Sequence, residues 1–161
     1  MSAAPTSGAY LLDTNILIDL SLWHPHGRFS TFWKIMEATL STGQWVLLDT
    51  VVNEILYDQV LQKWCQAQTA KGFLYQLSSS NKARGVVINN TYPMLDQTTQ
   101  KSQQDPYIVA FAEEYKLILF TREGYRKKPT DPYKIPDVCK QLGVKFLRQP
   151  EKFFSAIGYS H

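Results

Sequence analysis

The stretch YLLDTNILIDL, residues 10–20, decides the reading of the fold. Tyr10-Leu11-Leu12 is a brief apolar run that stops at Asp13, and it reads as a strand. Ile16, Leu17, Ile18 and Leu20 follow, interrupted by Asp19, and read as a short helix. A strand that passes to a helix through one acid is the opening of a strand–helix unit. The question for the rest of the chain is whether that unit recurs.

It does. Residues 21–29 carry Pro25 and Gly27 and read as a loop. Ser30 is placed to cap a helix in which Phe32, Trp33, Ile35, Met36 and Leu40 recur at helical spacing, closed by Gly43. Trp45 to Leu48 is a second strand, ended by Asp49-Thr50, and Val51 to Leu61 reads as a helix with Glu54 in its first turn. Residues 62–95 read as helical in two or three pieces, broken near Gly72 and at Ser78-Ser79-Ser80. Gln97 to Gln104 is polar and loop-like. Asp105-Pro106 then opens a helix to Tyr115, with the carboxylate as cap and proline in the first helical position. Leu117 to Phe120 is a third strand, apolar on both faces as a central parallel strand is. Residues 122–134 form a basic loop, Pro136 to Leu142 a helix, Val144 to Leu147 a fourth strand and Glu151 to Ile157 a last helix. The alternation predicts an α/β fold of three layers, with a central parallel sheet of four or five strands flanked by helices.

Composition bounds the chain without naming a task. Its 161 residues fit one domain, here residues 10–158 behind a small, polar lead-in (1–9) read as disordered. The lead-in has neither the charged nor the apolar region of a secretion signal, and no apolar run nears the ~20 residues that span a bilayer. With 44% hydrophobic and 19% charged residues, the chain can bury a core. Its net charge of +3 permits an anionic partner without requiring one. Two distant cysteines, Cys65 and Cys139, exclude a disulfide scaffold and fit a reducing cytoplasm.

Sites in open parallel sheets form at the carboxyl ends of strands. Asp13, Thr14 and Asn15 follow the first strand, and Thr121, Arg122 and Glu123 follow the third. Glu54 and Asp105 begin helices that flank strand ends, and Asp137 follows Pro136. Each acid alone has an ordinary reading as a cap, a helix-dipole partner or a solvated charge. Together at one rim they repel one another and suit Mg²⁺ or Mn²⁺, hard ions that take oxygen ligands.

The strings YLLDTNILIDL, VVNEIL, DPYIVAFAEEYKLILFT and YKIPDVCKQLGVKFL, in this order, resemble a PIN-domain nuclease. The resemblance runs from Tyr10 to about Phe154 and extends to VapC-type toxins of toxin–antitoxin systems. It implies a metal-dependent endoribonuclease with Asp13, Glu54 and Asp105 as metal-site acids, Asn15 as a polar helper and Thr121 as the hydroxyl after the sheet strand. The family often has an aspartate two residues beyond that threonine. This chain has Glu123 there, and Asp137 is the other candidate for the late acid. The implied chemistry is in-line attack of an activated water on a backbone phosphate, leaving a 5′ phosphate and a 3′ hydroxyl. A second ion, between Asp13 and Glu123 or Asp137, would stabilise the leaving oxygen. The same resemblance implies a homodimer and a cognate antitoxin as partner.

Seven basic residues against three acids lie between Arg122 and Lys145, a surplus of four. Arg122, Arg126, Lys127 and Lys128 are placed to meet the phosphate backbone, with Tyr125 and Tyr133 to stack on unpaired bases. Single-stranded or looped RNA is the expected substrate. The alternative is a catalytically inactive PIN-like module that binds RNA or protein. A haloacid-dehalogenase-type phosphatase also begins strand–Asp, but it needs a second acid where this chain has Asn15, and an amide cannot serve as general acid. His24 and His26 lack cysteine neighbours and the spacing of a zinc site, and the four tryptophans read as packing residues or part of a partner surface.

Overall fold

The structure, a computed structural model, describes residues 3–96 and 103–160. Residues 97–102 of the expected polar loop, and Met1 and Ser2 of the lead-in, lie outside the described residues. The elements run β1 (Tyr10–Leu12), α1 (Thr14–Trp23), α2 (Ser30–Ser41), β2 (Trp45–Leu48), α3 (Asp49–Asn53), α4 (Gln59–Ala70) and β3 (Leu74–Tyr75). They continue with α5 (Ser79–Thr91), α6 (Asp105–Tyr115), β4 (Ile118–Phe120), α7 (Ile135–Leu142), β5 (Phe146–Leu147) and α8 (Pro150–Ile157). The fold is α/β, as expected: a five-stranded, all-parallel sheet in the order β3-β2-β1-β4-β5, flanked by helices.

β1 lies at the centre. Its Leu11 aligns with Val46 of β2 on one side and with Leu119 of β4 on the other. From β1 the chain builds outward to β2 and β3, then returns to place β4 and β5 on the opposite side. The order therefore reverses between β1 and β4, and a doubly wound sheet opens its crevice at the carboxyl ends of such a pair. All four residues of β2 are buried, which is why the apolar run WVLL has no alternation. The core includes Leu11, Leu12, Trp45, Phe111 and Phe120, each almost fully enclosed. Trp45 donates its indole N–H to Met36 O at 2.8 Å, so burial leaves that group paired. Among the described residues, no helix is long and apolar enough to cross a membrane.

Several local expectations change. Val51 to Leu61 is not one helix. α3 ends at Asn53, and α4 starts after Asp58, whose carboxylate accepts from Leu61 N at 3.0 Å. Residues 62–95 contain a strand as well as helices: β3 follows Gly72 and pairs with β2. Ser30 is the first residue of α2 rather than its cap, which is Phe29. Asp105 is likewise the first residue of α6, behind Gln104. Of the lead-in, Gly8 donates to Lys116 O at 2.9 Å and Ala9 is buried, so the segment next to β1 is tied to the sheet.

Candidate functional site

Asp13 stands at the crevice between β1 and β4. Its N–H donates to Phe120 O at 2.9 Å, which fixes the end of β1 against the end of β4. Its extended backbone (φ −66°, ψ 154°) makes it the N-cap of α1, and Oδ1 accepts from Thr14 N at 2.8 Å. Capping is only part of what surrounds it. The Thr121 hydroxyl, one residue past β4, donates to Oδ2 at 2.9 Å. Both carboxylate oxygens are thus held, and the residue is buried.

Glu54 reaches the same place from a third strand end. It is not in the first turn of a helix, as expected, but is the C-cap of α3. A carboxylate there opposes the helix dipole, so the dipole explanation for this acid is withdrawn. The Thr14 hydroxyl donates to Glu54 Oε1 at 2.8 Å. Thr14 therefore holds two acids at once, Asp13 by its amide and Glu54 by its hydroxyl. Sequence reasoning gave Thr14 no role, although its position directly behind the first acid was the available signal.

Glu123 joins from the other side. Its N–H donates to Thr121 Oγ1 at 3.1 Å, and its Oε2 accepts from Ile135 N at 3.1 Å, so a loop and the start of α7 orient it. The chain of contacts runs Glu54, Thr14, Asp13, Thr121, Glu123, with a threonine between each pair of acids. Burial and then the Glu123 charge push the Asp13 carboxyl up to about 7, against the pull of its bonds from Thr121 and Thr14, with Glu54 adding to the rise. Burial also raises the Glu54 carboxyl, opposed by the Thr14 bond.

Asp105 is buried at the start of α6. Its neighbour Gln104 accepts from the Thr50 hydroxyl of α3, which brings the start of α6 against the helix that Glu54 caps. Asn15 has its Oδ1 buried with no hydrogen-bond donor among the described residues. Asp137 is engaged elsewhere: its Oδ2 accepts from Arg126 N at 3.0 Å and Lys134 N at 2.9 Å, clasping the basic loop to α7. Of the two candidates for the late acid, Glu123 is the one whose charge bears on Asp13.

The basic loop is partly self-contained. The Arg126 guanidinium lies 3.7 Å over the Tyr133 ring and donates to Pro129 O at 2.9 Å and Asp131 O at 3.3 Å. Tyr133 also packs edge-on against Tyr92. Arg126 and Tyr133, both half-buried, thus shape the loop itself. Lys127, Lys128 and Tyr125 are exposed. Arg122 pairs with the buried Asp19 at 2.8 Å while much of its own side chain faces solvent.

The other polar candidates belong to packing. His24 is stacked on Phe32 at 4.0 Å and His26 on Trp33 at 3.9 Å. Cys65 and Cys139 are buried free thiols, pushed up to about 12 by burial and so held as thiols.

The acids that bear on Asp13, Glu123 and Glu54, offer carboxylate oxygens, the donors that magnesium or manganese takes. The charges bearing on Asp13 are negative, and a cation would offset them. Among the described residues, no three His, Cys, Asp or Glu side chains stand close enough together to hold a metal ion. The donor chemistry fits a hard divalent ion, and side-chain adjustment would have to complete the set.

No curated protein is found to match the chain. A family model described as a domain of unknown function (DUF4411) matches residues 10–157, nearly the whole length, and the chain belongs to that family.

Proposed function

We propose that this chain is a divalent-metal-dependent endoribonuclease of PIN-like type. In the setting that the PIN resemblance implies, it is the toxin of a toxin–antitoxin pair, a homodimer acting in the cytoplasm. The observation that carries the reading is the buried Asp13, held by threonines at the β1–β4 crevice with Glu123 and Glu54 raising its carboxyl. A fold gains nothing from gathering like charges around a buried acid, whereas a metal site requires it.

Asp13, Glu54 and Glu123, with Asp105 from the start of α6, are the acids that would hold Mg²⁺ or Mn²⁺. When bound, the ion supplies an acidified water and offsets charge at the phosphorus. The residues of the chain do the rest. Thr121 and Thr14 hold Asp13 rigid, so its oxygens need no reordering during reaction. Glu54 has one oxygen held by Thr14 and a carboxyl raised by burial, which makes its other oxygen a better proton acceptor than an ordinary glutamate's. Lys127 and Lys128 offer exposed charge to the phosphates of the strand.

A second reading, a module that binds RNA or protein without cutting, is favoured by one observation: no three metal-ligating side chains already converge among the described residues. One experiment separates the two. A mixed, end-labelled RNA pool is incubated with wild type or Asp105→Asn, in Mn²⁺, Mg²⁺ or EDTA. Cutting by wild type with metal only, and none by the variant, is the expected result. Binding without cutting by either protein supports the second reading. Equal cutting by both overturns the assignment of Asp105.

A further inference from the structure

A groove of about 1130 Å³ opens beside Glu54, which lines one part of it. Ile18 and Leu22 of α1 form one wall, and Leu56, Tyr57 and Val60 form the other. Its volume exceeds the ~300–1,000 Å³ usual for a small-molecule pocket, which suits a stretch of polymer. Four large side chains of this groove (Leu22, Leu56, Tyr57 and Val60) are exposed, and Tyr57 is 93% exposed.

The turn that presents Tyr57 is held at both ends. Ile55 is buried and its carbonyl accepts from the Gln62 amide. Asp58 accepts from Leu61 N at 3.0 Å and from the Ser21 hydroxyl at 2.6 Å. The ring is therefore offered to solvent on a fixed support, at no further ordering cost for the backbone. The Asp58 carboxylate is engaged in the same bonds and repels a ligand less than an open one would. Arg122 also lines the groove. Asp19 holds one of its nitrogens at 2.8 Å, while 60% of its side chain faces solvent. A guanidinium fixed by one nitrogen, with others open, is preset to take a phosphate oxygen.

We infer that this groove binds an unpaired nucleotide next to the scissile bond, its base stacked on Tyr57 and its phosphate met by Arg122. The inference rests on the ribonuclease reading and adds to it a subsite for one unpaired nucleotide. An aromatic platform, a cation and a site acid in one groove match base, phosphate and reacting bond of one strand. A duplex has its base faces already stacked and cannot use the platform.

The test uses short labelled oligoadenylate and an abasic oligomer of equal length. Binding is followed by fluorescence polarisation in the Asp13→Asn background, and cleavage in the otherwise wild-type chain. Tyr57→Ala is expected to weaken oligoadenylate binding by about tenfold or more and leave the abasic oligomer unchanged, with Tyr57→Phe close to the parent. In cleavage, Tyr57→Ala should raise KM with kcat nearly preserved. Thermal melting checks that the exposed position leaves the fold intact. Unchanged binding and KM in Tyr57→Ala, with wild type cutting RNA, would overturn the subsite and leave the nuclease reading standing. Wild type that neither binds the oligomer nor cuts RNA would overturn both. Loss of a dimer on Tyr57→Ala, seen by sedimentation, would assign the groove to a second copy of the chain and overturn the inference.

Discussion

Thr14 bonds two carboxylates at once: its amide reaches Asp13 Oδ1 and its hydroxyl reaches Glu54 Oε1, each at 2.8 Å. The two acids come from the ends of different strand–helix units and are forty-one positions apart in sequence. One residue therefore sets the relation between the end of β1 and the segment after β2. Thr121 does the same between β1 and β4.

Thr14→Val removes the hydroxyl and keeps the amide that Asp13 caps. Glu54 then loses a hydrogen bond in a half-buried place, a loss of about 1–2 kcal/mol in stability. Cleavage with Mn²⁺ should fall by roughly tenfold or more, and Thr14→Ser should restore it. Denaturant melts and initial rates of the two variants check this. A valine variant with full activity would remove Thr14 from the site.

The raised Asp13 carboxyl makes the metal-free protein less stable as pH increases. Its carboxyl lies at about 7 in the fold and near 3.8 otherwise, so between those values the folded state holds a proton that the unfolded state releases. The stabilising contribution is complete below the lower value and is lost as pH rises through the upper one. Full deprotonation costs on the order of 4 kcal/mol. Melting temperatures in EDTA, taken as the difference between wild type and Asp13→Asn, isolate this group from the other carboxylates. The difference should turn against wild type as pH rises from about 4 and level off once pH passes about 7.

Asp13→Asn follows from the same charge argument. Asparagine is as good a cap as aspartate, and its amide can donate to the Thr121 hydroxyl, so the local bonds survive. Repulsion from Glu123 and Glu54 disappears. At about pH 8 the metal-free variant should be the more stable by up to the same ~4 kcal/mol, yet inactive. Chemical denaturation and the cleavage assay together check it.

Gly85 tests the packing of α5 on α6. A Cβ at this position would stand 2.4 Å from Tyr107 Cδ1 and 3.1 Å from Cγ, close to the ring's attachment and not at a mobile tip. Alanine gains about 1 kcal/mol in helix propensity, but the overlap costs about 1–3 kcal/mol. Gly85→Ala should destabilise wild type and should stabilise a Tyr107→Ala background. A double-mutant cycle by urea denaturation reads the change of sign.

The central strands were legible in the sequence because their apolar runs are unbroken. Tyr10–Leu12, Trp45–Leu48 and Ile118–Phe120 stand within a residue of where the sequence puts them. Leu74–Tyr75 was not, because two residues after Gly72 show no period, and only pairing with β2 makes them a strand. The break after Asn53 was masked by the hydrophobics on either side of it. Its signal was Asp58, whose capping bond to Leu61 N begins the next helix. The gathering of Asp13, Thr121 and Glu123 was foreseeable from strand ends and their order. The roles of Thr14, Asp137 and Arg126 were not, since each depends on which backbone or side-chain partner the fold brings within bonding distance.

The central claim is that the acids around Asp13 form a divalent-metal site. Isothermal titration of Mn²⁺ into metal-free wild type and Asp13→Asn, at about pH 8 and about pH 5.5, tests it most directly, because a protonated Asp13 is a poor ligand. The account predicts saturable binding by wild type at the higher pH, weaker binding at the lower, and none by the variant at either. Equal binding by the variant, or no binding by wild type at about pH 8, would contradict it.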